Sequence, residues 1–231
     1  MWIDDQVLKY YEQAVCTKIF VPDFTAVVLG SANDADLEVN LKACADQGIP
    51  VLRRYGGGGT VVLYPGCVVV SIGCWVKDQF NNSRYFKSIN HALITALSKE
   101  WSAMQMLGQA GISDIVFGEK KVAGTSLFRS RNYLLYQASI LVDLDIQLVG
   151  KLLRHPTREP DYRRGRPHSD FLAGLGDVEP SVTSPGEVVR SLETHLSPVF
   201  VETLHGDLVA PEEAQYGALA ARLARAEQQS D

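Results

Sequence analysis

The stretch RRYGGGGTVVLYPG, residues 53–66, places four consecutive glycines between a pair of arginines and a run of strand-forming residues. Glycine lets the backbone adopt positive φ and approach another group closely, at an entropic cost on folding. A P-loop or a dinucleotide fingerprint needs a helix after its glycines, whereas the sequence TVVL at 60–63 predicts a strand. The stretch therefore predicts either a flexible hairpin loop or a strand–loop–strand cradle, in which backbone N–H groups and a guanidinium receive an anion.

The composition of the 231-residue chain limits the classes of function. Its hydrophobic content of 46% is enough for one sizeable core. The formal net charge of −5 argues against sequence-independent nucleic-acid binding, which needs a basic face. No apolar run approaches the roughly 20 residues of a membrane span, and the acidic N-terminus does not resemble a signal peptide. The cysteines Cys16, Cys44, Cys67 and Cys74 form no CxxC pair, so we expect reduced, cytoplasmic thiols rather than a zinc or redox site.

Apolar spacing along the chain predicts one α+β domain with a mostly antiparallel sheet and helices packed on it. Helical periodicity occurs in residues 3–16, 36–47, 83–101, 145–154, 186–196 and 212–228. Strand patterns occur in residues 25–29, 49–54, 60–64, 68–75, 115–117, 120–123 and 133–143. Two hairpins are expected, one around the turn signal at 64–66 and one at 115–123. Residues 155–170 are polar and have no periodicity, so we expect a loop there.

Three segments, taken in order, carry a resemblance to a known family. They are RRYGGGGTVVLYPG at 53–66, GISDIVFGEKKVAGTS at 111–126 and YLLYQASILVDLD at 133–145. Together they resemble the catalytic domain of lipoate–protein ligases, within the group that also contains biotin ligases and octanoyltransferases. The resemblance covers roughly residues 3–155. It implies a biotin/lipoate ligase-like fold and attachment of lipoate or octanoate to a lysine of an acceptor lipoyl-domain protein, by way of an acyl-adenylate formed from ATP with Mg²⁺.

The resemblance also implies a set of site residues. In such ligases the glycine loop wraps the acyl-adenylate. Arg54 matches an arginine near the adenylate, Asp114 an aspartate on the nucleotide side, and Lys121 the catalytic lysine beside the acyl carbonyl and phosphate. A fixed ammonium there would stabilise the negative charge that grows on both groups. The remaining positions implied to bind substrate or nucleotide are Gly57, Gly58, Gly59, Thr60, Val122, Ala123, Gly124, Gln137 and Ser139. Leu63 and Gln137 stand where most relatives carry histidines.

Several alternatives remain open on the sequence. Taken alone, Lys121 could be a solvated hairpin lysine. An ATP-independent octanoyl or lipoyl transferase needs a cysteine nucleophile, near Leu134 or near residues 110–111, and no cysteine follows Cys74. A non-catalytic lipoate- or adenylate-binding protein is another alternative. A biotin ligase is disfavoured, because the glycine loop of biotin ligases usually has an Arg-Gly-Arg-like character that RRYGGGG lacks. The three arginines of residues 163–166 belong either to a solvated loop or to an ordered loop that meets an acidic lipoyl domain.

The C-terminal part of the sequence sets an expectation about domains. We expect a catalytic domain over residues 1–175, followed by residues 176–231 as a short helical extension of the same domain. Many ligases of the family carry a C-terminal accessory domain of about a hundred residues, and the two helix candidates here are too little for one, since cores below roughly 40 residues rarely stand alone. The chain is therefore expected either to need a separate accessory subunit or to act alone, and to bind neither nucleic acid nor membrane.

Overall fold

A computed structural model describes residues 5–228 and shows two sheets covered by helices. The strands are β1 (Val15–Phe20), β2 (Ala26–Leu29), β3 (Val51–Arg53), β4 (Val61–Leu63), β5 (Cys67–Trp75), β6 (Leu107–Ala110), β7 (Asp114–Phe117), β8 (Lys120–Ser130) and β9 (Tyr133–Leu141). The larger sheet has the order β1-β5-β9-β8-β7-β6 with every pair antiparallel. The smaller has the order β3-β2-β4, with β2 parallel to β3 and antiparallel to β4. The expected α+β class with a mostly antiparallel sheet is confirmed.

The α-helices lie mainly between and after the strands. They are α1 (Asp5–Leu8), α2 (Ala35–Glu38), α3 (Leu41–Asp46), α4 (Asn82–Ser98), α5 (Ile146–Leu152), α6 (His168–Phe171), α7 (Leu175–Val178), α8 (Pro185–Thr203) and α9 (Glu213–Gln228). Short 3₁₀ helices cover Ser102–Met106 and Asp161–Arg163. Of the helices in the part of the chain that the structure describes, none combines the length and the apolar character needed to cross a membrane.

The side chains of β5 alternate between two faces, one of which packs in the main core while the other faces the smaller sheet and a cavity. All nine residues of β5 are buried, because both faces of the strand are covered. Val68, Val70 and Ile72 pack with α4 and α8 in the main core. On the opposite face, Val69 packs against the smaller sheet through residues such as Leu63. The smaller sheet therefore lies over one part of the larger sheet, and the next residue on that face, Ser71, lines a cavity.

The expected hairpin around residues 64–66 is wrong, because β4 and β5 belong to different sheets. β4 pairs with β2, and β5 pairs with β1 and β9. The crossing is fixed by the end of β9: the Tyr64 hydroxyl donates to the Asp143 carbonyl oxygen at 2.9 Å, and the backbone N–H of Asp143 donates to the Gly66 carbonyl oxygen at 3.0 Å. A Cβ on Gly66 would clash with that same Asp143 oxygen. The turn residues serve a sheet-to-sheet crossing instead of a hairpin.

Two predicted helices are also wrong in extent. Within residues 3–16, helix α1 covers only Asp5–Leu8, residues 3 and 4 lie outside the described residues, and strand β1 begins at Val15. The β1 residues pair along the whole edge of β5, which outweighs the local helical pattern. The predicted helix over residues 36–47 is broken at Val39, which forms a bridge with Leu153, and Asn40 then caps α3. Strand β6 was not predicted from the sequence.

The C-terminal helices pack on the rest of the chain. Leu192, Leu196 and Phe200 of α8 belong to the main core. Leu219 and Leu223 of α9 join a separate cluster that includes Trp75 and Tyr133. The predicted closing helices are present, with α8 extending seven residues further than expected, from 196 to 203. A division of the chain at residue 175 stays a prediction.

Candidate functional site

A cavity of about 1270 Å³ lies between the two sheets. Its wall includes strand residues from both sheets, the glycine loop and much of the segment from Leu153 to Phe171. Most of the predicted site residues line it, namely Lys121, Arg54, Gly57, Gly58, Gly59, Thr60, Asp114, Gly124, Gln137 and Ser139. Val122 and Ala123 do not, because their side chains are buried in the main core on the other side of β8. If those two residues meet a ligand, they do so through their backbone.

Lys121 forms an ion pair inside this cavity. Its Nζ lies 2.8 Å from Oδ1 of Asp114, and the two side chains are 21% and 15% exposed. Lys121 is on β8 and Asp114 begins the neighbouring strand β7, where a bulge between Ile115 and Val116 interrupts the register. A Cβ on Gly124 would lie 3.0 Å from the Lys121 Nζ, so the glycine leaves the ammonium its space. The structure thus places Lys121 in the cavity rather than in solvent.

Arg54 supports the glycine loop from within. The residue is 6% exposed, and its Nη2 donates to the carbonyl oxygens of Gly57 at 2.7 Å and Gly59 at 2.8 Å. The guanidinium therefore uses two of its donor contacts to fix the loop's shape. Gly58 adopts φ of +93°, and a Cβ on it would lie 3.2 Å from the same Nη2. Glycine is required at 58 for backbone conformation and for the close approach of Arg54.

Gly57 and Gly59 differ from Gly58, because they border open space. A Cβ built on either would meet no heavy atom within 4 Å, although both residues line the cavity. Gly30 lies against the loop, and its lack of a side chain lets the loop pack closely there, since a Cβ on Gly30 would clash with the Gly58 carbonyl oxygen. The loop therefore has one side packed on the protein and another side left bare toward the cavity.

A buried carboxylate that the sequence analysis missed ties the loop to its surroundings. Glu38 accepts hydrogen bonds from the Thr60 hydroxyl and the Asn33 amide at one oxygen, and from the Thr157 hydroxyl at the other, at 3.2 Å. Both oxygens of this buried side chain are thereby hydrogen-bonded to neutral donors. The three donors come from the β2–α2 connection, the residue just before β4 and the 155–170 segment, so Glu38 joins three parts of the cavity wall. No local motif in the sequence marks this residue.

Polar side chains interrupt the apolar faces of β5 and β9 at the cavity. Gln137 Nε2 donates to Ser71 Oγ at 3.4 Å, and the Ser139 hydroxyl donates to the Gly124 carbonyl oxygen at 3.4 Å. Their neighbours in sequence, Tyr136 and Ala138, point into the main core instead. Ser71 was missed, although a serine within an otherwise apolar strand is a signal that could have identified it.

The segment that was expected to be a loop, residues 155–170, is ordered against the cavity. The Tyr162 hydroxyl donates to Asp114 Oδ2 at 2.8 Å. The Arg163 guanidinium is buried 4.7 Å from the Phe171 ring centroid, and Arg166 Nη2 donates to the Tyr162 carbonyl oxygen at 2.8 Å. Arg164, by contrast, is exposed. Two of the three arginines thus hold the segment together, and contact with a lipoyl domain stays a prediction.

Burial changes the ionisation of two groups in this segment. The pKa of His168 falls to about 4, because burial disfavours the imidazolium and the nearby charges of Arg163, His155 and Lys121 add to the effect. The pKa of Tyr162 is raised, first by burial and then by the charge of Asp114. At neutral pH the cavity therefore contains an uncharged His168 and a protonated Tyr162.

The cysteines are placed for packing. All four lie within the described residues, and none lines the cavity. Burial raises the pKa of both the Cys67 and the Cys74 thiols to about 12 and also raises the pKa of Cys16 and Cys44. Because the thiolate is the nucleophile, the structure offers no activated cysteine at this site.

No metal site is formed by protein groups alone in the described part of the chain. Residues 5–228 contain no cluster of three or more His, Cys, Asp or Glu side chains that could hold a metal ion. Mg²⁺ usually binds through one or two carboxylates together with substrate phosphates. Binding of Mg²⁺ by this chain stays a prediction.

Comparisons with known proteins connect this cavity to a family. A family model described as the lipoyl protein ligase A/B catalytic domain matches residues 1–197. Lipoate-protein ligase A subunit 1 of Thermoplasma acidophilum is 27% identical over 190 residues, covering 79% of this chain and 70% of that protein. The lipoate-protein ligase LplJ of Bacillus subtilis is 23% identical over 152 residues, covering 66% of this chain and 44% of that protein. The chain thus spans less than half the length of the Bacillus relative.

A solved structure has the same fold. The crystal structure of a lipoate-protein ligase A bound with ATP matches with a TM-score of 0.69 at 22% identity, covering 95% of this chain and 86% of that chain. Likeness at this level of identity establishes the fold, and the expected ligase-like architecture is confirmed.

Proposed function

The chain belongs to the lipoyl protein ligase A/B catalytic domain family, and from that premise we propose that it attaches lipoate or octanoate to a lysine of a lipoyl-domain protein by way of an acyl-adenylate made from ATP. The observation that carries the proposal is the meeting of Lys121, Asp114 and the bare backbone of Gly57 and Gly59 in one cavity that no cysteine lines. This arrangement suits a reaction in which charge is stabilised without a protein nucleophile.

The proposed chemistry has two steps. The carboxylate of lipoate attacks the α-phosphate of ATP, which forms a mixed anhydride with AMP and releases pyrophosphate. The amine of the acceptor lysine then attacks the acyl carbonyl, forms the amide and expels AMP. Negative charge grows on phosphate oxygens in the first step and on the carbonyl oxygen in the second. A preorganised ammonium such as that of Lys121 can stabilise this charge by about 3 kcal/mol.

The cavity wall offers suitable surroundings for both parts of an acyl-adenylate. Val28, Leu63 and Val69 form an apolar cluster that also lines the cavity, and such a surface suits a hydrocarbon acyl chain. The bare sides of Gly57 and Gly59 leave room for a ligand to lie flat against the loop. Leu63 contributes an apolar side chain to this wall at a position where the resemblance to lipoate–protein ligases implies a histidine, so we propose that it contacts the acyl chain.

Two features of the relatives inform the proposal further. The structure with the same fold was solved with ATP bound, and we propose that ATP, carrying Mg²⁺ on its phosphates, occupies the corresponding cavity here. The Thermoplasma relative is named as subunit 1 of its ligase, which supports a separate accessory subunit for the activation step of this chain. The alternatives remain a ligase that acts alone and a protein that binds lipoate or an adenylate without catalysis.

One set of assays tests these alternatives together. The purified chain is given a lipoyl-domain acceptor with lipoate, ATP and Mg²⁺ in one reaction, and with preformed lipoyl-adenylate in a second. A third reaction supplies an octanoyl-carrier protein without ATP, and mass spectrometry of the acceptor reports modification. Modification in the first reaction supports a self-sufficient ligase, and modification in the second alone supports a ligase that needs a partner for activation. Modification in the third reaction, or in none, contradicts the ligase proposal.

A further inference from the structure

Three side chains from three segments form a continuous polar contact in the cavity. Tyr162, in the 3₁₀ helix, donates from its hydroxyl to Asp114 Oδ2 at 2.8 Å. The other carboxylate oxygen of Asp114 lies 2.8 Å from Lys121 Nζ. Asp114 therefore has each oxygen committed to a different partner. A hydrogen bond from a tyrosine to the second oxygen restricts rotation of the carboxylate, and the carboxylate in turn restricts the ammonium.

The position of Tyr162 is itself well determined. Its ring lies 5.3 Å from the Phe171 ring, and the Arg163 guanidinium covers Phe171. The ring also packs close to Gly111, where an added Cβ would lie 3.4 Å from a Tyr162 ring carbon. The hydroxyl stays protonated because burial and Asp114 raise the pKa of Tyr162. It therefore remains a hydrogen-bond donor to Asp114 at physiological pH.

The same segment also holds the backbone of the lysine. After α6, the N–H of Ala173 donates to the Lys121 carbonyl oxygen at 3.0 Å, and Leu172 forms a parallel bridge with Lys121. Residues 162–173 thus contact Lys121 twice, once through the Asp114 side chain and once directly at its main chain. A surface lysine on a hairpin would need neither contact.

We infer that Tyr162 is a positioning residue that fixes the ammonium of Lys121 by holding Asp114. The inference rests on the proposed function in so far as it concerns turnover. A lysine side chain is a point charge on a flexible four-carbon stem. The stabilisation that its ammonium can give to charge in the reaction therefore depends on how tightly its position is restrained. Tyr162 supplies that restraint from residues 155–170, where the sequence shows no periodic pattern.

The first test needs no catalytic activity. Wild-type protein and Tyr162→Phe are treated with an amine-reactive reagent at limiting concentration, and peptide mass spectrometry follows the labelling of Lys121. The exposed neighbour Lys120 serves as an internal reference. We expect Lys121 to label several-fold faster in Tyr162→Phe, with Lys120 unchanged, because the phenylalanine keeps the ring packing but frees the carboxylate. Equal labelling of Lys121 in the two proteins would overturn the inference.

A matched control separates this effect from the general loss of a tyrosine hydroxyl. Tyr64 lies outside the cavity wall, and its hydroxyl donates to the Asp143 carbonyl oxygen and accepts from the Asp145 N–H, both at 2.9 Å. Tyr64→Phe removes two hydrogen bonds and should lower thermal stability without changing the labelling of Lys121. Faster labelling of Lys121 in Tyr64→Phe as well would assign the effect to loosened structure and reject a specific role for Tyr162.

The second test measures coupling in the reaction. Turnover is measured for Tyr162→Phe, Asp114→Asn and the double variant, with preformed lipoyl-adenylate and a lipoyl-domain acceptor. We expect Tyr162→Phe to lower kcat by roughly tenfold, the worth of a hydrogen bond to a charged group, with KM unchanged. In the Asp114→Asn background the same substitution should have little further effect. Independent, multiplicative effects would contradict the inference, whereas an inactive wild type would count against the proposed function and leave the labelling test decisive.

Discussion

Lys121 and Lys120 are consecutive in the sequence but lie in different surroundings. Lys120 is exposed, and Lys121 is paired with Asp114 in the cavity. If Lys121 stabilises charge in the reaction, Lys121→Ala should lower turnover by roughly 100-fold or more, while Lys120→Ala should leave it unchanged. Transfer from preformed lipoyl-adenylate is the measurement. Similar turnover for both variants would make Lys121 a structural residue only.

The glycines of the loop should respond differently to substitution. Gly57→Ala places a methyl group in open space at the cavity, so we expect unchanged thermal stability and weaker binding of lipoyl-adenylate. Gly58→Ala forces φ of +93° on a residue with a Cβ and crowds Arg54, so both stability and binding should fall. Calorimetry and a thermal melt on each variant measure the two quantities. Tight lipoyl-adenylate binding by Gly57→Ala would contradict close contact between ligand and loop.

His168 gives a prediction about acid stability. Its pKa is about 4 in the folded chain against an ordinary 6.5, since burial and then Arg163, His155 and Lys121 disfavour the charged form. Between these values the unfolded chain binds more protons than the folded chain, so stability falls as the pH is lowered through this window. In His168→Gln the fall in melting temperature across the window should be smaller, whereas the exposed His91→Gln should melt like the wild type. An identical pH dependence in wild type and His168→Gln would refute this.

At the level of strands and helices, the sequence predicted most elements because their patterns are local. The mostly apolar run of β9 and the helical periodicity of α4 are each contained within one segment, and the strand and the helix lie close to where they were expected. Pairing is a different matter, because the crossing from β4 to β5 depends on contacts of Tyr64 and Gly66 with Asp143, which is distant from both in sequence. The chain does turn at residues 64–66, but a turn does not by itself determine whether the strands on its two sides pair with each other.

For the cavity wall, as for the strands and helices, the sequence predicted features that have a local pattern and not those that depend on distant contacts. Lys121 and Gly58, which belong to a family pattern, were expected in one site, and both line the cavity. Val122 and Ala123 belong to the same pattern, but their side chains lie in the main core. The roles of all four residues stay predictions. Glu38 and Tyr162 could not be found, because each becomes part of the cavity only through contacts with residues distant in the chain. The role of Arg54 was equally hidden, since its contacts with loop carbonyls depend on the folded loop.

The crossing between the sheets can be tested with two glycines. A Cβ on Gly66 would clash with the Asp143 carbonyl oxygen, so Gly66→Ala should destabilise the protein by several degrees in a thermal melt. Gly150 lies within α5, where an added Cβ meets nothing within 4 Å, so Gly150→Ala should stabilise by about 0.5–1 kcal/mol. If Gly66→Ala melts at or above the wild-type temperature, the crossing is not constrained as described.

For the molecule as a whole, the core continues past the part that matches the family model. The match ends at residue 197, yet Phe200 is 1% exposed within the main core. We expect Phe200→Ala to lower the free energy of unfolding by about 3–5 kcal/mol, as measured by urea titration. Val201→Ala, at an exposed neighbour, should change it by less than about 0.5 kcal/mol. Comparable small effects for both would indicate that residues beyond 197 fold apart from the core.

The hydrogen bonds that Glu38 accepts from three parts of the cavity wall affect how easily a molecule could leave the cavity. Because Thr60 and Asn33 hold one oxygen and Thr157 the other, the 155–170 segment cannot swing outward without leaving a buried carboxylate short of a donor. Opening an exit route on that side would therefore cost about 1–3 kcal/mol for the oxygen left without its donor. For the mixed anhydride of the proposed reaction, a wall held closed in this way would limit the entry of water, which favours aminolysis by the acceptor over hydrolysis.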